Sequence, residues 1–240
     1  GVMKSTEGGR GWENKGLFIE DKQPRMILKP HNTSVTFAGG VGDPSAVMSG
    51  DHLYLFYSEY GYPGTYDSAA YDPEFERTGQ CISVARIALS DLEDPHGKAK
   101  RWDGDDFSAA FDGVGRPITA IQIPPEEGGG PASSPDAKYH WGPSVSWNNF
   151  LSAWVMLMAK AEGPSWKGGS IYISFNPNKD LGSGANSQQW SKPVKIVDRP
   201  GHILWYPSLQ PLNTEEDIQN KYTSLNLGRR VRLFFKDQFE

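Results

Sequence analysis

The sequence predicts an all-β protein built from repeated four-stranded units, and three observations carry this prediction. Glycine and proline supply 27 and 18 of the 240 residues, a content that excludes a coiled coil and disfavours a bundle of long helices. Short alternating apolar segments are bounded by Gly, Pro, Asn and Asp, which is typical of strands. A Pro-Ser start to such a segment recurs three times along the chain.

Composition excludes several classes of function. The net charge of −5 without a basic block disfavours a nucleic-acid partner. The longest purely apolar run, residues 154–159, is too short to span a membrane, so no membrane partner is predicted. The lone cysteine, Cys81, excludes an internal disulfide and any multi-cysteine metal site. It needs no reducing compartment, which leaves cytosolic residence open and gives a slight preference for a secreted or periplasmic location.

The first strand of each unit begins at a Pro-Ser pair, and an aromatic-rich second strand follows after a turn. The three starts are Asp43-Pro44-Ser45, Gly142-Pro143-Ser144 and Tyr206-Pro207-Ser208. The second runs are 53–57, 154–158 and 231–235. Antiparallel strands joined by short turns account for this order.

A third strand is predicted in the first two units, at 82–87 and 170–174. Each third run leads to an Asp-Leu pair and then to a tryptophan, Trp102 or Trp190. Four strands in about 40 to 50 residues match a β-propeller blade. A β-sandwich with accidental local similarity is the alternative fold.

Residues 1–240 are predicted to form a single β-propeller domain with a Gly- and Pro-rich insertion at 103–140. The insertion contains one strand-like segment, at 118–123. Three recognisable units do not complete a ring, so the chain is either a small propeller or, as we favour, part of a longer protein.

Strand direction predicts which side chains meet at one end of the propeller. An antiparallel second strand ends where the first strand begins, so the residues before each Pro-Ser and after each second strand share one mouth. Three carboxylates are candidate catalytic groups there: Asp43, Glu59 and Glu162. Six rings are candidate substrate contacts: His140, Trp141, Trp166, His202, Trp205 and Tyr206. Carboxylates beside aromatic faces suit sugar chemistry.

Each of these residues also has a structural interpretation. Asp43 can accept backbone hydrogen bonds at a strand start, and Glu59 and Glu162 can mark the exit of a strand into water. The tryptophans can simply pack between blades. The histidines lack the spacing of a metal site, so neither a metal nor another cofactor is predicted, and no motif supports a structural Ca²⁺.

The segment 42–47, followed by 53–57, resembles the opening blade of five-bladed β-propeller glycoside hydrolases of the arabinanase and β-xylosidase type. The segments 140–145 and 205–208 resemble uncharacterised bacterial glycosidase-like propeller proteins. The resemblance implies that Asp43 is the general base. It also implies a general acid in a Glu-Gly-Pro sequence, which Glu162 matches, although here the sequence follows a second strand instead of preceding a first one. No residue matches the family's third, pKa-tuning Asp.

The leading hypothesis is therefore a glycoside hydrolase-like protein that cleaves a polysaccharide or oligosaccharide glycan by carboxylate acid/base catalysis. Asp43 would activate water, and Glu162 or Glu59 would protonate the leaving oxygen. The alternative is a non-catalytic carbohydrate-binding propeller, which keeps the aromatic residues but needs no pair of carboxylates. A protein-interaction propeller is a third possibility, and it would present an apolar patch at the mouth.

Overall fold

The computed structural model describes residues 1–21, 40–62, 67, 69–70, 72, 80–130, 136–163, 166–182 and 187–239. Strands account for 49% of the structure and helices for 7%, so the predicted all-β class is confirmed. Among the described residues, no helix is both long enough and apolar enough to cross a membrane.

The strands follow one another with short turns through most of the chain. Seven of them precede residue 130: β1 (Val2–Lys4), β2 (Glu13–Gly16), β3 (Val41–Ser49), β4 (His52–Tyr60), β5 (Gln80–Ala88), β6 (Lys100–Arg101) and β7 (Ala109–Ala110). Seven follow it: β8 (Lys138–Asn148), β9 (Ala153–Glu162), β10 (Lys167–Asn176), β11 (Val194–Asp198), β12 (His202–Pro211), β13 (Asn226–Leu227) and β14 (Val231–Phe239). Helices are short: α1 (Glu215–Gln219) and the 3₁₀ turns Leu89–Asp91, Thr119–Ile121 and Pro125–Glu127.

The strands form three main sheets and an N-terminal hairpin. The first sheet has the order β3-β4-β5-β6-β7, the second β11-β10-β9-β8-β13, and the third consists of β12 and β14. Neighbouring strands are antiparallel except for β13, which pairs parallel to β8. The hairpin pairs β1 with β2. The second and third strand runs predicted for the repeated units are therefore confirmed, at 53–57, 82–87, 154–158, 170–174 and 231–235.

Every first strand carries a β-bulge at its Pro-Ser start. The pairing shifts between Gly42 and Ser45 in β3, between Trp141 and Ser144 in β8, and between Trp205 and Ser208 in β12. In each sheet two residues of the first strand oppose one residue of the second. Proline fits at this position because the bulge interrupts the ladder and the missing N–H is not needed.

The residue before each of these prolines has a positive φ. The angle is 51° at Asp43, 61° at Gly142 and 55° at Tyr206. A left-handed backbone is easy for glycine but costs about 1–3 kcal/mol for other residues, and a following proline restricts it further. The residues that precede the three Pro-Ser pairs in the sequence therefore also share the same backbone conformation.

The sheets stack face to face, and their first strands are neighbours: β3 contacts β8, and β8 contacts β12. One apolar cluster, which includes Phe56 and Met158, fills the space between the first and second sheets. A second cluster, which includes Trp141 and Trp205, lies between the second and third sheets. Phe18 packs on the other face of the first sheet. The strands curl into a half-barrel, and the described residues do not show a complete five-bladed propeller.

The insertion packs into the core, and the predicted strand at 118–123 is wrong. Residues Thr119–Ile121 form a 3₁₀ turn instead. Ile118 and Ile121 are each 1% exposed and belong to the cluster between the first two sheets. Their spacing of three residues suits one face of a tight helical turn, so both side chains point inward.

We expect Ser45→Ala to destabilise the contact between the first two sheets. The Ser45 Oγ accepts a hydrogen bond of 2.9 Å from the backbone N–H of buried Val145. Loss of this acceptor leaves a buried donor unpaired, at a cost of about 1–3 kcal/mol. Urea denaturation measures the change, and Ser90→Ala, at an exposed site, is the control. Equal stability of both variants would contradict this role of Ser45.

Candidate functional site

Asp43 lies at the bulge of β3, half-exposed, where the first strands of the sheets meet. Its Oδ2 accepts a hydrogen bond of 2.8 Å from the hydroxyl of Tyr60, at the end of β4. Burial first, and then the negative charge of Asp43, raise the pKa of Tyr60 well above its usual value. Tyr60 therefore stays protonated and remains a donor to Asp43.

Asp43 and Tyr206 lie at the same end of the molecule. Partial burial and then the charge of Asp43 raise the pKa of the Tyr206 hydroxyl. An electrostatic effect of this kind requires proximity, because charges at a protein surface are screened within about 10 Å. The bulges of the first and third sheets thus place Asp43 near Tyr206, and a shared mouth with the other candidate residues stays a prediction from the sequence.

An aromatic cluster continues from this point between the second and third sheets. The ring of Trp141 lies 5.5 Å from Tyr206, 4.9 Å from Trp166 and 5.9 Å from Trp205, measured between ring centroids. Trp166 in turn contacts Tyr60 at 5.3 Å. All four contacts are edge-to-face, the arrangement that the ring quadrupoles favour. We call these five rings the aromatic cluster.

The members of the cluster differ in exposure. Trp141 is only 4% exposed and supports the others, whereas Tyr206 is 54% exposed. The Nε1 of Trp205 donates to the Trp166 carbonyl at 3.0 Å, and the Nζ of Lys236 lies 4.3 Å from the Trp205 ring centroid. The free face for a ligand is therefore offered mainly by Tyr206.

Glu59 occupies a different environment from Asp43, although it neighbours Tyr60 in sequence. Successive residues of a strand point to opposite faces, so Glu59 points away from Tyr60 and Asp43. Its side chain is 2% exposed and forms an ion pair of 2.7 Å with Arg101, which is fully buried. Its oxygens also accept from the backbone N–H groups of Gly61 and Gly115.

The surroundings of this ion pair explain the titration of Glu59. Burial raises the pKa of Glu59 to about 7, while Arg101 and the two backbone donors oppose the shift. Arg101 also donates to the carbonyls of Glu20 and Phe111. The pair therefore ties the first sheet to the N-terminal segment and to the insertion. Gly115 fits here because a Cβ at this position would overlap the Tyr57 hydroxyl.

The pairing registers show which residues are equivalent to Glu59. Gly42, Trp141 and Trp205 pair with Ser58, Ala159 and Lys236, respectively. One residue further along the second strands lie Glu59, Lys160 and Asp237. The structural counterpart of Glu59 in the second sheet is therefore Lys160, two residues before Glu162.

Glu162 is the last residue of β9 and is exposed. Its Oε1 forms an ion pair of 2.5 Å with the Nζ of Lys160. The next residue, Gly163, has a φ of 63°, and Pro164 of the Glu-Gly-Pro sequence lies outside the described residues. Glu162 remains a candidate proton donor at the same end of the second sheet from which β8 starts.

The two predicted histidines lie outside the aromatic cluster. His140 lies on the face of β8 opposite to Trp141 and is 7% exposed, with its ring 4.7 Å from that of Tyr172. His202, at the start of β12, has its Nδ1 2.7 Å from Asp237 Oδ1, and Arg199 also pairs with Asp237. Strand alternation accounts for the position of His140, because neighbours in a strand cannot share a face.

Two partners of the candidate residues were not named on sequence: Tyr60, which bonds Asp43, and Arg101, which pairs with Glu59. The sequence could have indicated Tyr60, because this residue ends an alternating strand and lies on the face opposite to Glu59. Arg101 is not, because a pairing across 42 residues has no local sequence signal. Within the described part of the chain, no group of three His, Cys, Asp or Glu side chains is arranged to hold a metal ion.

No protein-family profile matches the sequence, and no curated protein sequence matches it. Among solved structures, the chain is similar to the α-L-arabinofuranosidase of Podospora anserina in complex with cellotriose, with a TM-score of 0.30 and 18% sequence identity. The similarity covers 69% of this chain and 34% of that chain, so this chain spans about a third of the arabinofuranosidase. A carbohydrate-cleaving enzyme is thus a distant structural neighbour, and family membership is not established.

We expect Glu59 to make stability depend on pH. The folded protein holds the Glu59 proton up to about pH 7, whereas an ordinary glutamate loses it near 4.5. The contribution of Glu59 to stability is complete below about pH 4.5 and is lost as the pH rises through about 7. A difference of this size corresponds to about 3 kcal/mol.

Glu59→Gln should abolish this dependence, because glutamine keeps an acceptor for Gly115 and Arg101 but does not titrate. Urea denaturation at several pH values between about 5 and 8 measures the slope. Glu126→Gln, which alters an exposed carboxylate, should retain the wild-type slope. A Glu59→Gln slope equal to that of the wild type would rule out Glu59 as the source.

Proposed function

We propose that this protein is a glycoside hydrolase-like protein that binds a glycan at the mouth formed by Asp43 and the aromatic cluster. The observation that carries the proposal is the position of Asp43 in a strained backbone, held by Tyr60 and close to the exposed ring of Tyr206. Strained residues concentrate at functional sites, because the surrounding structure must compensate their cost.

The aromatic cluster supports the choice of a sugar as ligand. The exposed ring of Tyr206 offers an apolar face on which a pyranose or furanose ring stacks, and its hydroxyl offers a polar edge. Trp141 and Trp205 hold that ring from behind. A rigid aromatic ring beside a carboxylate can position a sugar at a low cost in conformational entropy, because no long flexible side chain has to be ordered.

In the proposed reaction, Asp43 acts as the general base. It removes a proton from a water molecule, the water oxygen bonds to the anomeric carbon, and the glycosidic C–O bond breaks. Glu162 is the proposed general acid and transfers its proton to the leaving oxygen, so that one water is added across the bond. Glu162 must leave its ion pair with Lys160 to do this. Glu59 is reserved for structure by its buried pair with Arg101.

Asp43→Asn tests the proposal directly, because asparagine tolerates a positive φ and still accepts a hydrogen bond from Tyr60. We expect hydrolysis to fall by about 10² to 10⁴-fold, the usual contribution of a general base. The measurement is reducing-sugar release from a polysaccharide panel that includes arabinan and xylan. Asp51→Asn, an exposed aspartate in the turn after β3, is the matched control. Undiminished hydrolysis by Asp43→Asn would refute the assignment.

A non-catalytic glycan-binding function is the second candidate. It is favoured by the pairing of both predicted proton donors, Glu59 with Arg101 and Glu162 with Lys160. Binding without product release by the wild-type protein would establish this alternative over hydrolysis.

Tyr206→Ala tests the stacking face under either function. We expect it to weaken glycan binding by about 10-fold or more, since stacking on an aromatic ring contributes about 1–3 kcal/mol in comparable ring contacts. Tyr206→Phe keeps the ring and should bind within a few-fold of the wild type. Affinity electrophoresis in gels containing each polysaccharide measures the effect. Phe150→Ala removes an exposed ring from the turn after β8 and should not change binding.

A further inference from the structure

A narrow cleft lies on the face of β8 opposite to the aromatic cluster. The starts of β5 and β8 form its walls, through Gln80, Ile82 and His140, and the 3₁₀ turn of the insertion covers it through Ile121. It contains about 280 Å³ of empty space, which includes the solvent at its opening, and its interior has room for about one water-sized group.

His140 presents a bare acceptor to this cleft. Its Nδ1 lies 2.7 Å from the carbonyl oxygen of Ile121, and a carbonyl oxygen only accepts, so Nδ1 carries the hydrogen. Burial lowers the pKa of His140 to about 4, so the ring is neutral at pH 7. The Nε2 atom then carries a lone pair and can only accept a hydrogen bond. It has no hydrogen-bond partner among the described residues.

Gln80 presents a second acceptor. Its Nε2 donates to the carbonyl oxygen of Tyr60 at 2.8 Å, which fixes the orientation of the amide. The Oε1 atom therefore faces away from Tyr60, and it too lacks a partner within the described part of the chain. Gln80 is 5% exposed, so bulk water does not satisfy this oxygen.

Gln80 Oε1 and His140 Nε2 are buried acceptors on two residues that line the same cleft, and each requires a hydrogen-bond donor. Buried polar groups without partners are rare, because each one loses the hydrogen bonds that it makes in the unfolded chain. A metal ion is a poor match, since no group of three His, Cys, Asp or Glu side chains among the described residues could hold one and Lys138 also lines the cleft. Water is a molecule with two O–H donors and the size of the cleft interior, so it suits a site that two such acceptors line.

We propose that this cleft binds one ordered water molecule that donates to Gln80 Oε1 and to His140 Nε2. The water links the first sheet to the second. It also supports the candidate site: Gln80 holds the main chain of Tyr60, and the Tyr60 hydroxyl holds Asp43. Only this last step rests on the proposed function.

A crystal structure at a resolution that shows solvent tests the site itself. We expect a density peak within hydrogen-bond distance of both acceptors in the protein without any glycan. An empty cleft, or Gln80 and His140 paired to protein donors, would overturn the proposal. This outcome is independent of glycoside hydrolysis, so failure of the water site and failure of the proposed function are distinguishable.

A double-mutant cycle gives a second measurement in solution. Gln80→Met and His140→Phe each remove one acceptor, and each should lower Tm by several degrees, because the water loses one of its partners. The double variant should lose clearly less than the sum of the two, because the water then leaves with both of its partners. Strictly additive losses would contradict a shared water. His96→Phe, at an exposed histidine outside the cleft, is the control.

Discussion

The bulge at the start of each first strand is the constraint on which the rest of the candidate site depends. It places two residues of the first strand opposite one residue of the second in all three sheets. The residue before proline is thereby turned out of the regular pleat, with a positive φ. Without the bulge, Asp43 and Tyr206 would follow the regular alternation of their strands.

Strand alternation divides the acidic residues of the first sheet between two environments. Tyr60 and Glu59 are neighbours in sequence, yet one bonds Asp43 at the mouth and the other pairs with buried Arg101. A carboxyl group in the interior needs hydrogen-bond partners, and Glu59 has three donors, although burial still raises its pKa. Within the described residues Asp43 accepts from the side chain of Tyr60, and it is half-exposed, which leaves it accessible to a ligand.

The local sequence pattern was sufficient to predict most of the strands, because strands follow a short-range alternation of apolar and polar residues. It was also sufficient to predict that Asp43, Gly142 and Tyr206 are equivalent, because each precedes a Pro-Ser pair. The sequence placed both Glu59 and Glu162 after a second strand, whereas strand register aligns Glu59 with Lys160. The local pattern failed at Ile118 and Ile121, since two buried aliphatic residues three apart fit a 3₁₀ turn as well as a strand. Which face His140 occupies depends on the register of β8, and no local signal in the sequence reports it.

The partners of Arg101 have a consequence for how the chain acquires its structure. Its guanidinium binds groups 42 and 81 residues away in sequence, at Glu59 and Glu20, together with the nearer Phe111. Contacts at such separations close large loops, and chains dominated by them fold slowly, in milliseconds to seconds. Until those loops close, the guanidinium must stay hydrated, so the first sheet becomes dry only when the N-terminal segment and the insertion dock together. We therefore expect the buried interior of the first sheet to form late in folding, when these segments dock together.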